Sequence, residues 1–248
     1  MEIDLAAIGA NYHELSPGRQ SRHAATDRLE PSLFQYDYLA LSTLSADIRR
    51  LLLDVPPSTR HRGGVALDIG CGNSPYRAPV ESRGFRLKTL DISDESAPDF
   101  VGTIEDTGLP DAFADLVLCT QVLEHSLDPE RGLQDIHRIL RPGGHLILTV
   151  PHIWFYHPHP TDNWRFTQEG LIRLTERANF VPLRLLSQGG SALSFFQIGN
   201  FLLYGAIGKI GAPAYLVGNV VGKLADRVVR NDLFCLNFAL LARKPTSG

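Results

Sequence analysis

The chain has 248 residues, 44% of them hydrophobic and 21% charged, with a formal net charge of −3. This composition excludes an intrinsically disordered polypeptide, and the length suffices for a real core within one domain of ordinary size. The near-neutral balance supplies no concentrated basic face, so nucleic acid is not an expected partner. The three cysteines, Cys71, Cys119 and Cys235, form neither a disulfide framework nor a zinc ribbon and suit a reducing compartment. The opening M-E-I-D-L-A-A-I-G-A-N lacks the basic start and long apolar run of a signal peptide, and a cytoplasmic location is expected.

Residues 1–32 are polar and broken by Pro17-Gly18 and Pro31. Leu33 to Leu53 carries apolar residues near helical spacing, ended by Pro56-Pro57, and is expected to be a long helix. From Val65 onward strand and helix patterns alternate. The expected strands are Val65–Ile69, Arg86–Leu90, Phe100–Ile104, Leu116–Cys119 and His145–Val150, with helices at Pro75–Ser82 and Pro129–Leu140. Short solid apolar runs joined by helices indicate a parallel sheet buried on both faces. Thr167 to Asn179 reads as a Thr-capped helix, Phe180–Leu186 as a strand and Leu233–Ala242 as the last strand. The division expected is an N-terminal segment with a cap helix, 1–63, and one α/β domain, 64–248, with a helical insertion at about 190–230 before the final strand.

The segment V-A-L-D-I-G-C-G-N-S-P-Y, 65–76, carries the chemistry. A buried strand runs into Asp68, then Gly70 and Gly72 leave the main chain bare where a ligand approaches closely. Asp91 ends the next strand, placed to accept hydrogen bonds from both hydroxyls of a ribose. Together they describe a nucleoside site at the carboxyl edge of a doubly wound sheet. A dinucleotide fingerprint needs a third glycine and a pyrophosphate on the helix N-terminus. Here the third position is Pro75, and the acid Asp68 precedes the loop. Negative charge repels a pyrophosphate but suits a ligand carrying an ammonium and a sulfonium, which favours S-adenosylmethionine over NAD.

L-D-I-G-C-G resembles the first motif of class I S-adenosylmethionine-dependent methyltransferases, in the small-molecule, type 11-like branch. The resemblance continues through Asp91, I-E-D-T-G-L-P (104–110), A-D-L-V-L-C-T-Q-V-L-E-H (114–125) and L-Q-D-I-H-R-I-L-R-P-G-G-H-L-I-L-T-V-P (133–151). It implies a Rossmann-like, doubly wound, seven-stranded, mostly parallel sheet, with S-adenosylmethionine as donor and S-adenosylhomocysteine as product. By the same resemblance, Gly70 and Gly72 border the methionine and ribose, Asp68 holds the ammonium directly or through water, and Asp91 holds the ribose. Adenine meets Thr103, Ile104 and Glu105, the Ile104 amide reading the ring. Relatives often have Asp where Thr103 stands, with Glu105 or Asp106 as substitutes here. Gln121 lines the donor pocket, Glu124 is structural and His125 is a pocket-wall residue.

Between His152 and Phe166 lie three of the nine histidines and both tryptophans. Following a strand, they fall on the ligand edge. Methyl transfer is an in-line displacement, so catalysis is alignment plus, for a hydroxyl acceptor, removal of one proton. His157 or His159 suits that base because imidazole titrates near neutrality, with Asp162 to orient it. Trp154, Tyr156 and Trp164 would wall a flat or glycosidic acceptor, and F-Q-Y-D-Y (34–38) would close over the donor or pack within its helix. A metal reading of His152, His157, His159 and Asp162 lacks a distant partner, and no metal is expected. The expected reaction is methylation of a small molecule at oxygen, in secondary-metabolite or cell-surface sugar metabolism. The alternative is a methyltransferase-like fold recruited to cyclisation or isomerisation.

From Leu185 to Gly208 there is no formal charge, a stretch long enough to span a bilayer. Its Ser, Gln, Gly and Asn residues dilute it below a stable span. The apolar block 192–229 is expected to act as a lid or a homodimer surface.

Overall fold

A computed structural model describes residues 25–58, 63–158, 161–229 and 231–246. In chain order the elements are α1 (Ala25–Leu29), α2 (Tyr38–Asp54), β1 (Gly64–Ile69), α3 (Arg77–Glu81), β2 (Phe85–Asp91), β3 (Phe100–Val101) and β4 (Ala114–Thr120). A 3-10 turn (Leu123–His125), α4 (Pro129–Ile139), β5 (Leu140–Pro151), α5 (Gln168–Arg177) and β6 (Val181–Gln188) follow. Then come α6 (Ser191–Ile207), a second 3-10 turn (Gly208–Gly211), α7 (Ala212–Val228) and β7 (Asn237–Arg243).

The seven strands form one sheet in the order β3-β2-β1-β4-β5-β7-β6. Only β7 runs against its neighbours. Alternation along each strand feeds two cores. Leu67 and Ile69 of β1, Val117 and Cys119 of β4, and Leu146 and Leu148 of β5 pack beneath α4 and α5. Ala66, Leu116, Leu118 and Ile147 face the opposite way, against Ile48, Leu51 and Leu52 of α2 and Val80 of α3. Asp68 shares this second face by the same period. The chain reverses its strand order at β1, opening a crevice between the carboxyl ends of β1 and β4, where ligands bind in such sheets.

Several expected boundaries shift. Helix α2 begins at Tyr38, because residues 33–36 are held as turns by side chains of the insertion: Asn219 Nδ2 donates to the Leu33 and Gln35 carbonyls and Gln197 Nε2 to that of Tyr36. Pro75 lies ahead of α3, since Ser74 takes a left-handed φ of 46° and closes a turn on the Cys71 carbonyl. Strand β3 stops at Val101; Gly102 turns the chain so tightly that a Cβ would stand 3.3 Å from the Asp106 and Thr107 carbonyl oxygens. Residues 141–144, between the expected helix and strand, are a bulged start of β5, where Gly143 and Gly144 exchange backbone bonds with Lys244. The Thr167 cap is observed, its hydroxyl accepting from the Gly170 amide at 3.1 Å.

Candidate donor and acceptor site

A cavity of about 830 Å³ lies at the carboxyl ends of β1, β2 and β4. The glycine loop, Asp91, the Gly102–Glu105 turn, Gln121 and His125 all line it. The loop closes because the Gly70 and Cys71 amides both donate to the Leu90 carbonyl, at 2.8 and 3.2 Å. Gly70 and Gly72 have φ of 66° and 48°. A Cβ on Gly70 would stand 2.2 Å from Val122 Cγ2, whereas one on Gly72 would meet nothing within 4 Å. The first glycine serves the packing of β1 against the 3-10 turn; the second leaves bare main chain toward the cavity. The Gly72 amide donates to Asp91 Oδ2 at 2.9 Å, fixing the acid at the rim.

Asp68 is not on the cavity wall. It is 1% exposed beneath the loop, and neither carboxylate oxygen has a hydrogen-bond partner among the described residues. Burial raises its carboxyl from 3.8 to about 7, against the pull of the Arg28 and Arg77 charges. Thr103, Ile104 and Glu105 do reach the cavity, but Glu105 is engaged: its Oε1 accepts from Ser126 Oγ at 2.5 Å and from the Leu127 amide at 3.0 Å. These bonds outweigh the burial that opposes them and hold its carboxyl below the usual range. Asp106 Oδ1 accepts from the Gly108 amide. Gln121 sits at a positive φ of 56° just past β4, its Nε2 donating to Thr149 Oγ1 at 3.2 Å. A non-glycine residue held in that region is local strain at the cavity edge.

The histidine-aromatic segment is built onto the 3-10 turn. A short turn leaves its carbonyls without helical partners, and this segment satisfies them. The Asn163 and Trp164 amides donate to the Glu124 carbonyl at 2.9 and 3.1 Å. Thr161 Oγ1 donates to the His125 carbonyl and Trp164 Nε1 to that of Ser126. Asp162, its side chain 1% exposed, takes two bonds from Arg165, at 2.5 and 2.7 Å. It also accepts from the His157 backbone amide at 2.9 Å, and its Oδ2 lies 3.2 Å from His157 Nδ1. Burial opposes ionisation of Asp162, but the Arg165 and His157 contacts prevail and keep its carboxyl low.

This arrangement places the predicted catalytic residues unequally. His157 and Asp162 are together, yet neither lines the cavity; His125 and Thr161 do. The His125 and His157 rings meet edge to face at 5.1 Å. His125 Nδ1 bonds the Thr161 carbonyl, and burial lowers its imidazole below the ordinary 6.5. His159 lies outside the described residues. His152 stands apart, bonded to the Phe166 carbonyl. Glu124 is fully buried with neither oxygen hydrogen-bonded among the described residues, its Oε1 3.8 Å from His125 Nε2, and burial raises its carboxyl from 4.5 to about 8. Ligand atoms of Glu124, His125 and His157 come within 4.8 Å of one another.

The aromatic expectations also redistribute. Trp164 spends its indole N–H on the turn, and Trp154 packs against the Leu39–Leu193 cluster. Tyr36 stacks on Tyr204 of α6 at 4.0 Å, so F-Q-Y-D-Y serves the insertion rather than covering the donor. Instead Arg28 and Leu41 reach the cavity from the N-terminal helices. Nothing local in the sequence marks Arg28, because its neighbours in space come from elements far along the chain.

Residues 67–148 match the family model described as a methyltransferase domain. Over these residues the chain is similar to S-adenosylmethionine-dependent methyltransferases. Malonyl-[acyl-carrier protein] O-methyltransferase of Serratia marcescens is 30% identical over 123 residues, covering 46% of this chain and 48% of that protein. Ubiquinone biosynthesis O-methyltransferase of Caulobacter vibrioides is 28% identical over 103 residues, 36% of this chain and 41% of that one. The chain thus spans about half, or less, of the length of these curated relatives. Among solved structures, the [4+2]-cyclase SpnF superposes with a TM-score of 0.57 at 19% identity, over 82% of each chain. A methyltransferase from Mesorhizobium loti does so at 0.55 and 16% identity, over 83% of this chain and all of that one. At such identities the structures share the fold.

S-adenosylmethionine is the cofactor of such methyltransferases, and the residues present fit it. Asp91 and the bare Gly72 backbone share one wall of the cavity. Beneath them the buried Asp68 carboxyl has no hydrogen-bond partner among the described residues, an acid whose charged form a ligand cation nearby would favour.

Proposed function

We propose that the protein transfers a methyl group from S-adenosylmethionine to a hydroxyl of a small-molecule acceptor, in secondary-metabolite or cell-surface sugar metabolism. The observation that carries this reading is that Asp91, Gly72 and the His125 imidazole line one cavity. Its roughly 830 Å³ falls toward the upper end of the about 300–1,000 Å³ usual for small-molecule pockets, room for a donor and an acceptor together.

Bound there, S-adenosylmethionine supplies a methyl carbon on a positively charged sulfur. Asp91 would hold the ribose, and the Gly102–Glu105 turn would border the adenine. Because the Thr161 carbonyl can only accept, His125 carries its proton on Nδ1 and its lone pair on Nε2. Its lowered pKa keeps the ring neutral near pH 7, the state a general base requires. Arg165, Asp162 and His157 form a buttress behind it, fixing the segment that holds Thr161 against the turn.

The test is incubation of the protein with methyl-deuterated S-adenosylmethionine and extracts of cell-surface sugars and small metabolites, read by mass spectrometry. A labelled methyl ether in the product is expected. A product of unchanged mass would instead support cyclisation or isomerisation, and a labelled amine would overturn transfer to oxygen.

A further inference from the structure

Helices α6 and α7 pair as a hairpin whose polarity is inverted. Its polar side chains point inward. Ser194, Gln197 and Asn219 are 0% exposed and Asn200 5%. Each is bonded: Gln197 to the Ala40 amide and Tyr36 carbonyl, Asn200 to Asn219, Asn219 to the Leu33 and Gln35 carbonyls, Ser194 to that of Phe234. Its large apolar side chains point outward. Phe195 and Leu202 of α6, Ile210 at the tip, and Val217, Val221 and Leu224 of α7 are between 41% and 88% exposed. On α7 these three recur at helical spacing along one stripe. A water-facing helix shows the reverse pattern.

Charge sorts the same way. No Asp or Glu occurs from Ala178 to Ala225. Asp226 is turned inward, capping α6 through the Gly190 and Leu193 amides at 2.9 and 3.3 Å, and Lys223 is tied to the Tyr38 hydroxyl at 2.7 Å. The charges left exposed on the hairpin are Lys209, beside Ile210 at the tip, and Arg227. The fully exposed charges of the apolar hairpin are thus cations, on a chain of net charge −3.

We propose that this outer face docks the protein on an anionic lipid bilayer, lying in the interface with Lys209 and Arg227 toward the phosphates. Ser191–Val228 is long and apolar enough to cross a membrane, and only 11% of its most apolar window is buried. However, the chain breaks at Gly208, and the inner face of the hairpin is bonded to residues 33–40, so it presents a face rather than a span. Lipid fits better than a second protein. Protein interfaces draw on hydrogen bonds, roughly one per 100–200 Å², and on Tyr, Trp and Arg anchors. This face has turned its amides and hydroxyls inward and offers acyl chains the apolar contact they require.

The test is flotation of the full chain with phosphatidylcholine vesicles, with and without about one third phosphatidylglycerol. Binding to the anionic vesicles is expected to be about tenfold or more tighter than to the neutral ones, and to weaken with salt and in Lys209→Glu. The double variant Leu202→Glu/Val221→Glu should no longer float while still binding S-adenosylhomocysteine in calorimetry, which shows that the fold is intact. Ile210→Trp should gain a blue-shifted emission on vesicles and retains the rest of the face should the double variant fail to fold. Absence of binding to either vesicle overturns the proposal, as does flotation undiminished in the double variant. A dimer in light scattering that the double variant dissociates, without vesicle binding, would assign the face to a second copy. Vesicle binding does not depend on the methyl-transfer reading, so either can fail alone.

Discussion

The Gly72 amide and the Asp91 carboxylate hold each other across the mouth of the cavity, at 2.9 Å. The bond joins the loop after β1 to the end of β2, so the acid proposed to hold the ribose also positions the bare backbone beside it. Asp91→Ala removes both functions. Loss of hydrogen bonds to a charged acceptor costs about 1.5–3 kcal/mol, roughly ten- to a hundredfold in affinity. Calorimetry with S-adenosylhomocysteine should show that loss, and unchanged affinity would refute the ribose assignment.

The two loop glycines should respond differently to alanine. Gly70→Ala forces a Cβ to within 2.2 Å of Val122 Cγ2 at a φ of 66°, overpacking added to left-handed strain, about 2–4 kcal/mol of stability. Gly72→Ala meets open space and should cost only about 1–2 kcal/mol of strain. The expected outcome is a large drop in melting temperature for the first, and a small one with weakened donor binding for the second.

Stability of the ligand-free protein should carry a pH signature from Glu124. Its carboxyl stands at about 8 in the fold against an ordinary 4.5. Between those values the folded state keeps a proton that the unfolded state has released. Glu124 therefore makes folding less favourable as pH rises through that window, by up to about 1.4 kcal/mol per pH unit. Glu124→Gln removes the titration, so the melting-temperature difference between variant and parent should move in the variant's favour from pH 5 to pH 8. A constant difference would mean that the buried acid is ionised.

Asp162→Ala leaves the Arg165 guanidinium without its two-bond partner and frees the His157 amide. Breaking a pair whose acid is 1% exposed should cost about 3 kcal/mol, read by denaturant unfolding.

His125→Gln should lower kcat by roughly 10²- to 10⁴-fold, as loss of a general base does, with donor affinity retained. His157→Gln, one ring further from the cavity, should lose less. Equal losses would show that the two rings act as one unit.

Much of the fold was legible in the sequence, since a strand that is apolar along its length and a two-glycine turn each depend on neighbours in the chain. Leu67 and Ile69, Gly70 and Gly72, and Asp91 after β2 all satisfy local requirements of period or φ, and these requirements survive folding. Asp162 and His157 were likewise legible as partners, being five residues apart on a proline-stiffened segment.

Sequence alone therefore determined the sheet, the glycine loop and the kind of ligand they suit. Tertiary structure alone decided which imidazole reaches the cavity, since His125 and Thr161 meet only when one loop docks on a turn formed much earlier in the chain. It also decided that Asp68 lies beneath the wall, and that the polar residues of 191–228 face inward. Composition records that a segment is mixed, but which of its faces meets water depends on what packs against the other.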